Sequence, residues 1–178
     1  MKSLPVPRPR RVVVAATALL GLALAGCAQA SPGVVAYVGD DAISQSTLDT
    51  AVAGLSSTLQ EGQTVSAEAV VNAMIQGKLS EQIAAEQQIV ITDADRDSVL
   101  KGSNLEGLVA VPEAKEVAYD VADQQIVSQK IGAEAYLKEI ERRSVKLNPR
   151  YGVLDPAQKT IVSGQSGSLS QPVAGSAP

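Results

Sequence analysis

Histidine, phenylalanine and tryptophan are absent from this chain of 178 residues, and cysteine occurs once, as Cys27. Without imidazole there is no side chain whose ordinary pKa lies near neutrality to serve as general base, and no nitrogen ligand for a transition metal. One thiol can build neither an internal disulfide nor a Cys-rich zinc site. The aromatic rings are four tyrosines, Tyr37, Tyr119, Tyr136 and Tyr151, too few for the platforms on which single-stranded nucleic acid stacks. Basic charge is also scarce where it would matter. Four of the fifteen basic residues precede Cys27, so eleven remain against nineteen acids, a net −8 for everything after residue 26. Such a surface repels a phosphate backbone, and nucleic acid is not an expected partner.

What is present begins with a leader. Lys2, Arg8, Arg10 and Arg11 make a basic, proline-broken start, and Val12 to Leu24 is an apolar run interrupted only by Thr17 and Gly21. That order is an export signal. The run closes on Leu24-Ala25-Gly26-Cys27, which resembles the lipobox of bacterial lipoproteins. The resemblance implies that residues 1–26 are a signal peptide, that Cys27 becomes the lipidated first residue, and that residues 27–33 are a lipid tether. Fatty acyl chains of the palmitate class, carried on a diacylglyceryl cysteine, would hold the protein on the extracytoplasmic face of the cell membrane, since stable anchoring takes more than one chain. Three readings stand beside this one, the first being that a lone cysteine is incidental. Ala28-Gln29-Ala30 could be cut by an ordinary signal peptidase to release a secreted protein, or the segment could stay as an uncleaved span, although the run is short against the ~20 residues a bilayer needs. Arg10-Arg11 raises twin-arginine export, but Val12-Val13-Val14 fits that signal poorly, and the general secretory route is expected.

The exported part reads as one helical domain over residues 34–162, followed by a disordered Gly/Ser/Pro tail over residues 163–178. Val34 to Val38 is β-branched and aromatic and precedes the turn Gly39-Asp40-Asp41, which predicts a short strand. Ser44 caps a first helix in which Leu48, Val52 and Leu55 recur, ending near Ser56 and Ser57. Ser66 opens the longest periodic segment, to Gln87 or Gln88, with Val71, Ile75, Leu79 and Ile83 as one ridge. Ile89-Val90-Ile91 is expected to line a turn rather than form a strand. Thr92-Asp93-Ala94-Asp95 starts a short helix with acids in its first turn, and Lys101-Gly102 closes it. Pro112-Glu113 starts another with Val117, Ala118, Val121, Ala122 and Ile126 on its apolar face, which Gly132 breaks. A last helix carries Tyr136, Leu137 and Ile140 as far as Arg142 or Arg143. Ser144 to Leu147 switches to period two and predicts a strand ending at Asn148-Pro149-Arg150-Tyr151-Gly152. The fold class is mainly α: about five helices and a minimal two- or three-stranded sheet in which Val34 to Val38 lies beside Val145 to Leu147 and joins the ends of the domain.

The succession Val38-Gly39-Asp40-Asp41-Ala42-Ile43-Ser44, a long helix, then Ile91-Thr92-Asp93-Ala94 resembles the N-terminal domain of SurA-type and PrsA-type extracytoplasmic chaperones, over roughly Gly33 to Gly152. The resemblance implies a SurA N-terminal-like fold and chaperone activity toward unfolded or extended exported polypeptides. The parvulin domains those proteins usually carry contain active-site histidines, so isomerase activity is not carried over to this chain.

Candidate chemistry is sparse. Asp93, Asp95 and Asp97 form D-x-D-x-D, the opening of a calcium loop, but the glycine position is Ser98 and the bidentate glutamate position is Asn104. No metal site is expected there; first-turn carboxylates explain it. Glu134, Lys138, Glu141 and Arg142 sit at helical spacings that make a solvated face. A serine hydrolase without histidine would need a serine-lysine pair, and Ser128-Gln129-Lys130 is one residue short of S-x-x-K. Neither enzymatic activity nor a cofactor is expected. Arg150 and Tyr151 could be a small recognition point, or a turn shaped by Pro149 and Gly152 with Tyr151 packed on the sheet. On the long helix the ridge is core, while Val70 and Met74 on its flank are the candidate client-binding residues, methionine being adaptable in such grooves. The expected function is therefore a membrane-anchored, chaperone-like lipoprotein without isomerase activity. The alternative is an accessory envelope lipoprotein that binds one dedicated folded partner.

Overall fold

Three hydroxyl side chains set where the first three helices begin. Ser44 Oγ accepts a hydrogen bond from Thr47 N at 3.0 Å to start α1, Gln45–Ser56. Ser66 Oγ accepts from Ala69 N at 3.2 Å to start α2, Ala67–Glu86. Thr92 and Asp95 form a reciprocal capping box at α3, Asp93–Leu100, with Asp95 N donating to Thr92 Oγ1 at 3.2 Å and Thr92 N to Asp95 Oδ2 at 2.9 Å. Each cap satisfies backbone donors that have no partner within the helix. α4, Pro112–Ile131, starts instead on proline, whose missing N–H costs nothing at that position. Gly132, at φ 88°, separates it from α5, Ala133–Glu141. The computed structural model describes residues 33–162, so the expectations for the signal peptide 1–26, for Cys27 and the tether up to residue 32, and for the tail 163–178 lie outside the described residues.

The strands are short and come from both ends of the domain. β1, Val34–Val38, turns through Gly39 at φ 59° into β2, Asp41–Ser44. β3, Val145–Leu147, pairs with the other edge of β1, giving an antiparallel sheet of order β2-β1-β3 with Ala36 opposite Leu147 and Val38 opposite Val145. The expected closure of the domain ends is thus met. Asn148 reinforces it, its N donating to Val35 O at 2.8 Å and its Nδ2 to Val34 O at 3.1 Å. Ile89 to Ile91 forms no strand: Ile89 and Ile91 pack on the core, and Val90 points to water at 75% exposure.

The core is organised around α2. Val71, Ile75, Leu79 and Ile83 are fully buried, as their spacing predicts. α2 packs chiefly on α4, and Gly77 permits the close approach: a Cβ there would lie 1.9 Å from Asp120 Oδ1. Gly54 does the same for α1, where an added Cβ would stand 2.6 Å from Glu113 Cβ. A smaller cluster of Leu100, Leu108, Ala114, Ala118, Tyr119 and Ala122 binds α3 to the other face of α4.

Two features go beyond the sequence reading. Glu106–Ala110 winds into a 3-10 turn that buries Leu108. Past Gly152, β4, Val153–Leu154, and β5, Ile161–Val162, form a second, two-stranded sheet. Strands of two residues carry no readable period. What holds this hairpin is distant in sequence: Asn72 Oδ1 accepts from Ile161 N at 2.6 Å, and Gln76 Nε2 donates to the carbonyls of Gln158 and Lys159, both at 3.1 Å.

Candidate functional site

Ala69 and Ala73 lie one turn apart on α2 with Val65 before its cap, and the two small alanine side chains leave a trough that larger residues would have filled. Leu55 and Leu59, at the end of α1 and just after it, form one wall. Leu105 and Leu108 at the 3-10 turn form another, and Val117, Ala118 and Val121 of α4 complete it. The result is a groove of about 550 Å³. Its remaining polar groups, among them Thr58, Thr64, Ser66 and Asn104, are neutral, and none of the described residues lining it is charged. In a chain whose charged residues make up 19%, that selects the ligand: aliphatic groups gain roughly 25 cal/mol for each Å² taken out of water, whereas a carboxylate or phosphate finds no counter-charge.

The two residues singled out on α2 are not brought into one surface. Val70 lines the groove but is only 3% exposed, so it forms floor rather than wall. Met74, 5% exposed, belongs to the core and borders a separate depression of about 320 Å³ with Ala51 and Pro112. Ala69, Thr64 and Leu59 are among the exposed lining positions. The usable signal was the i, i+4 alanine pair, a stripe of small residues that hydrophobic ranking passes over.

The three aspartates of D-x-D-x-D are separately employed. Asp93 pairs with Arg96 at 3.0 Å and Lys115 at 3.5 Å, Asp95 serves the capping box, and Asp97 accepts from the Tyr119 hydroxyl at 2.9 Å. No group of three potential metal ligands occurs among the described residues. Arg96 continues inward to a bidentate pair with the buried Asp123, at 2.7 and 2.9 Å, and that carboxylate holds the guanidinium in its charged form. Lys115 and Arg96 both stand over the Tyr119 ring, at 4.6 and 5.2 Å from its centroid. Ser98-Val99-Leu100-Lys101 does have the S-x-x-K spacing, but Ser98 and Lys101 are exposed at the end of α3, not gathered in a cleft.

A second polar network seals the opposite end of α2. Ser80 Oγ donates to Gln76 O at 2.7 Å and lies 2.9 Å from the Tyr136 hydroxyl, whose pKa is raised by burial. Arg143 clamps Glu86 with bonds of 2.9 and 2.7 Å and holds that carboxyl below its ordinary range. Asp120, against Gly77, is pushed up to about 8, first by burial and further by Glu81, Asp123 and Glu116, with Lys78 opposing. Tyr151 is half-buried in a 3-10 turn, Pro149–Tyr151, and its hydroxyl donates to Gln45 Oε1, so this ring secures the turn; Arg150 is exposed. Lys138 and Glu134 pair at 2.8 Å on the solvated face of α5.

Among known proteins, no family model, no curated protein and no solved structure matches this chain.

Proposed function

We propose that the protein is a membrane-anchored, extracytoplasmic chaperone-like lipoprotein that holds apolar stretches of unfolded, exported polypeptides in the groove between α1, α2 and α4. The observation that carries this reading is the uncharged, aliphatic lining of a groove open to solvent. Extended client segments present alternating side chains, and a trough floored by Val70 and Ala118 accepts those that are aliphatic without demanding a particular sequence. Neither nucleotide nor metal enters the cycle, and release follows from modest affinity. The export leader, the lipobox-like Leu24 to Cys27 and the resemblance of Val38 to Ser44 to SurA-type and PrsA-type chaperones point to the same setting.

Delayed aggregation tests it. At stoichiometric ratio the chain from Ala28 onward should slow aggregation of an unfolded secreted protein, and Ala69→Glu, which puts a charge on the exposed wall of the groove, should abolish the delay. No delay with the unaltered chain removes the chaperone reading. Affinity purification from cells should yield a varying set of clients; a single stoichiometric folded partner would instead establish the accessory role. Anchoring is checked independently: Cys27→Ser should move the protein from the membrane fraction to the soluble one.

A further inference from the structure

After β4 the chain runs antiparallel to α2 and heads for the groove. Gln76 holds the carbonyls of Gln158 and Lys159, and one turn nearer the start of the helix Asn72 holds Ile161 through both its N and its O, at 2.6 and 3.5 Å. Toward the helix start from Asn72, the next position on that face of α2 is Ala69, with Val65 just before the Ser66 cap, and both line the groove. About 5 Å of helix separates Asn72 from Ala69 at 1.5 Å per residue. The sequence that follows, Ser163 to Pro178 (SGQSGSLSQPVAGSAP), contains no charged residue, matching the lining, and its large aliphatic side chains are Leu169 and Val173. Leu169 is seven residues beyond Val162, a reach of roughly 23 Å when extended.

We propose that residues 163–178 are the resident occupant of the groove, with Leu169 entering it, so that a client must displace the protein's own tail. This rests on the groove being the site for apolar segments, as set out above, and adds how it is regulated. A tethered segment competes at an effective concentration in the millimolar range. Short or weakly apolar segments are excluded, and segments offering several aliphatic side chains gain entry.

The absence of tryptophan and phenylalanine makes the test clean. In the chain from Ala28 onward, which keeps every described residue and the whole tail, Leu169→Trp supplies the sole indole. Its emission should be blue-shifted and its quenching by acrylamide about threefold weaker than in the same chain carrying Ala69→Glu, as docking of a tethered segment predicts. Ala69 is exposed, so the second substitution leaves the fold in place, which circular dichroism verifies. Solvent-like emission with equal quenching in both chains overturns the proposal. A blue shift that grows with protein concentration also overturns it, by making a second copy the occupant.

Competition is read separately. Leu169→Ser with Val173→Ser should bind the neutral dye Nile red about fivefold more tightly than the unaltered chain, because the competing conformer no longer lowers the open fraction. Unchanged affinity is the contrary result. A buried indole in the Leu169→Trp chain together with no effect on aggregation would retire the chaperone reading and leave the tail assignment standing. A solvent-exposed indole in a protein that does delay aggregation would do the reverse.

Discussion

The two halves of α2 make opposite use of one helix. Toward its C-terminus Ile75, Leu79 and Ile83 have no exposed surface, Ser80 ties it to α5 through a buried hydrogen bond with Tyr136, and Gln76 ties it to the β4–β5 hairpin through part-buried ones. Toward its N-terminus the side facing α1 and the 3-10 turn carries Ala69 and Ala73, with Val65 just before the cap, and there the neighbouring elements stand back and leave a groove. Hydrophobicity alone does not separate the halves, because both are apolar. Side-chain volume and cover do: a leucine or isoleucine meets its neighbours across the gap between helices, and an alanine does not.

The comparison breaks most sharply under truncation in the sealed half. Leu79→Ala should cost about 3–4 kcal/mol, the loss of burial plus the cavity left behind, read as a lower denaturation midpoint with unchanged slope in urea. A cost below about 1 kcal/mol would mean that this half is not sealed. Next comes Arg96→Ala, which strands the buried Asp123 and should cost about 2–3 kcal/mol, a figure reduced because Arg96 is partly exposed. Thermal unfolding of this variant against the double variant Arg96→Ala with Asp123→Ala should show the second change restoring part of the loss.

Asp120 sharpens the boundary between the halves through pH. Its folded-state pKa of about 8 lies above its ordinary value, so the folded protein holds a proton that the unfolded chain has released. The stabilisation is therefore complete below about pH 4 and is lost as pH rises through about 8. Asp120→Asn should remove that slope and leave the variant more stable than the parent by about 1–2 kcal/mol at alkaline pH, measured by urea unfolding across the range. An unaltered slope would place the charge in open solvent. The smallest effect belongs to the open half. Ala69→Glu should change stability by no more than about 0.5 kcal/mol while abolishing the delay of client aggregation, and a large loss of stability would show that the groove wall is core.

Much of the fold was legible because its signals are local. Ser44, Ser66 and Thr92 mark helix starts by hydrogen bonds to residues three positions on, and Gly132 marks an end by its own φ. Val71, Ile75, Leu79 and Ile83 show their face by spacing. The candidate site was less legible. Val70 and Met74 are both apolar neighbours of the ridge, yet which of them lines the groove depends on where α1 ends and where the 3-10 turn lies. The β4–β5 hairpin escaped for the same reason, since Asn72 and Gln76 hold it from more than eighty positions away.

The amino-acid sequence by itself determined the helices, their caps at Ser44, Ser66 and Thr92 and the buried ridge of α2, because each follows from the backbone's own periodicity and from donors and acceptors a few residues apart. Only the tertiary structure decided that Ala69 and Ala73 line the groove while Met74 does not. A groove is made by what neighbouring elements fail to fill, and that depends on the distances between helices brought together from α1, α2 and α4.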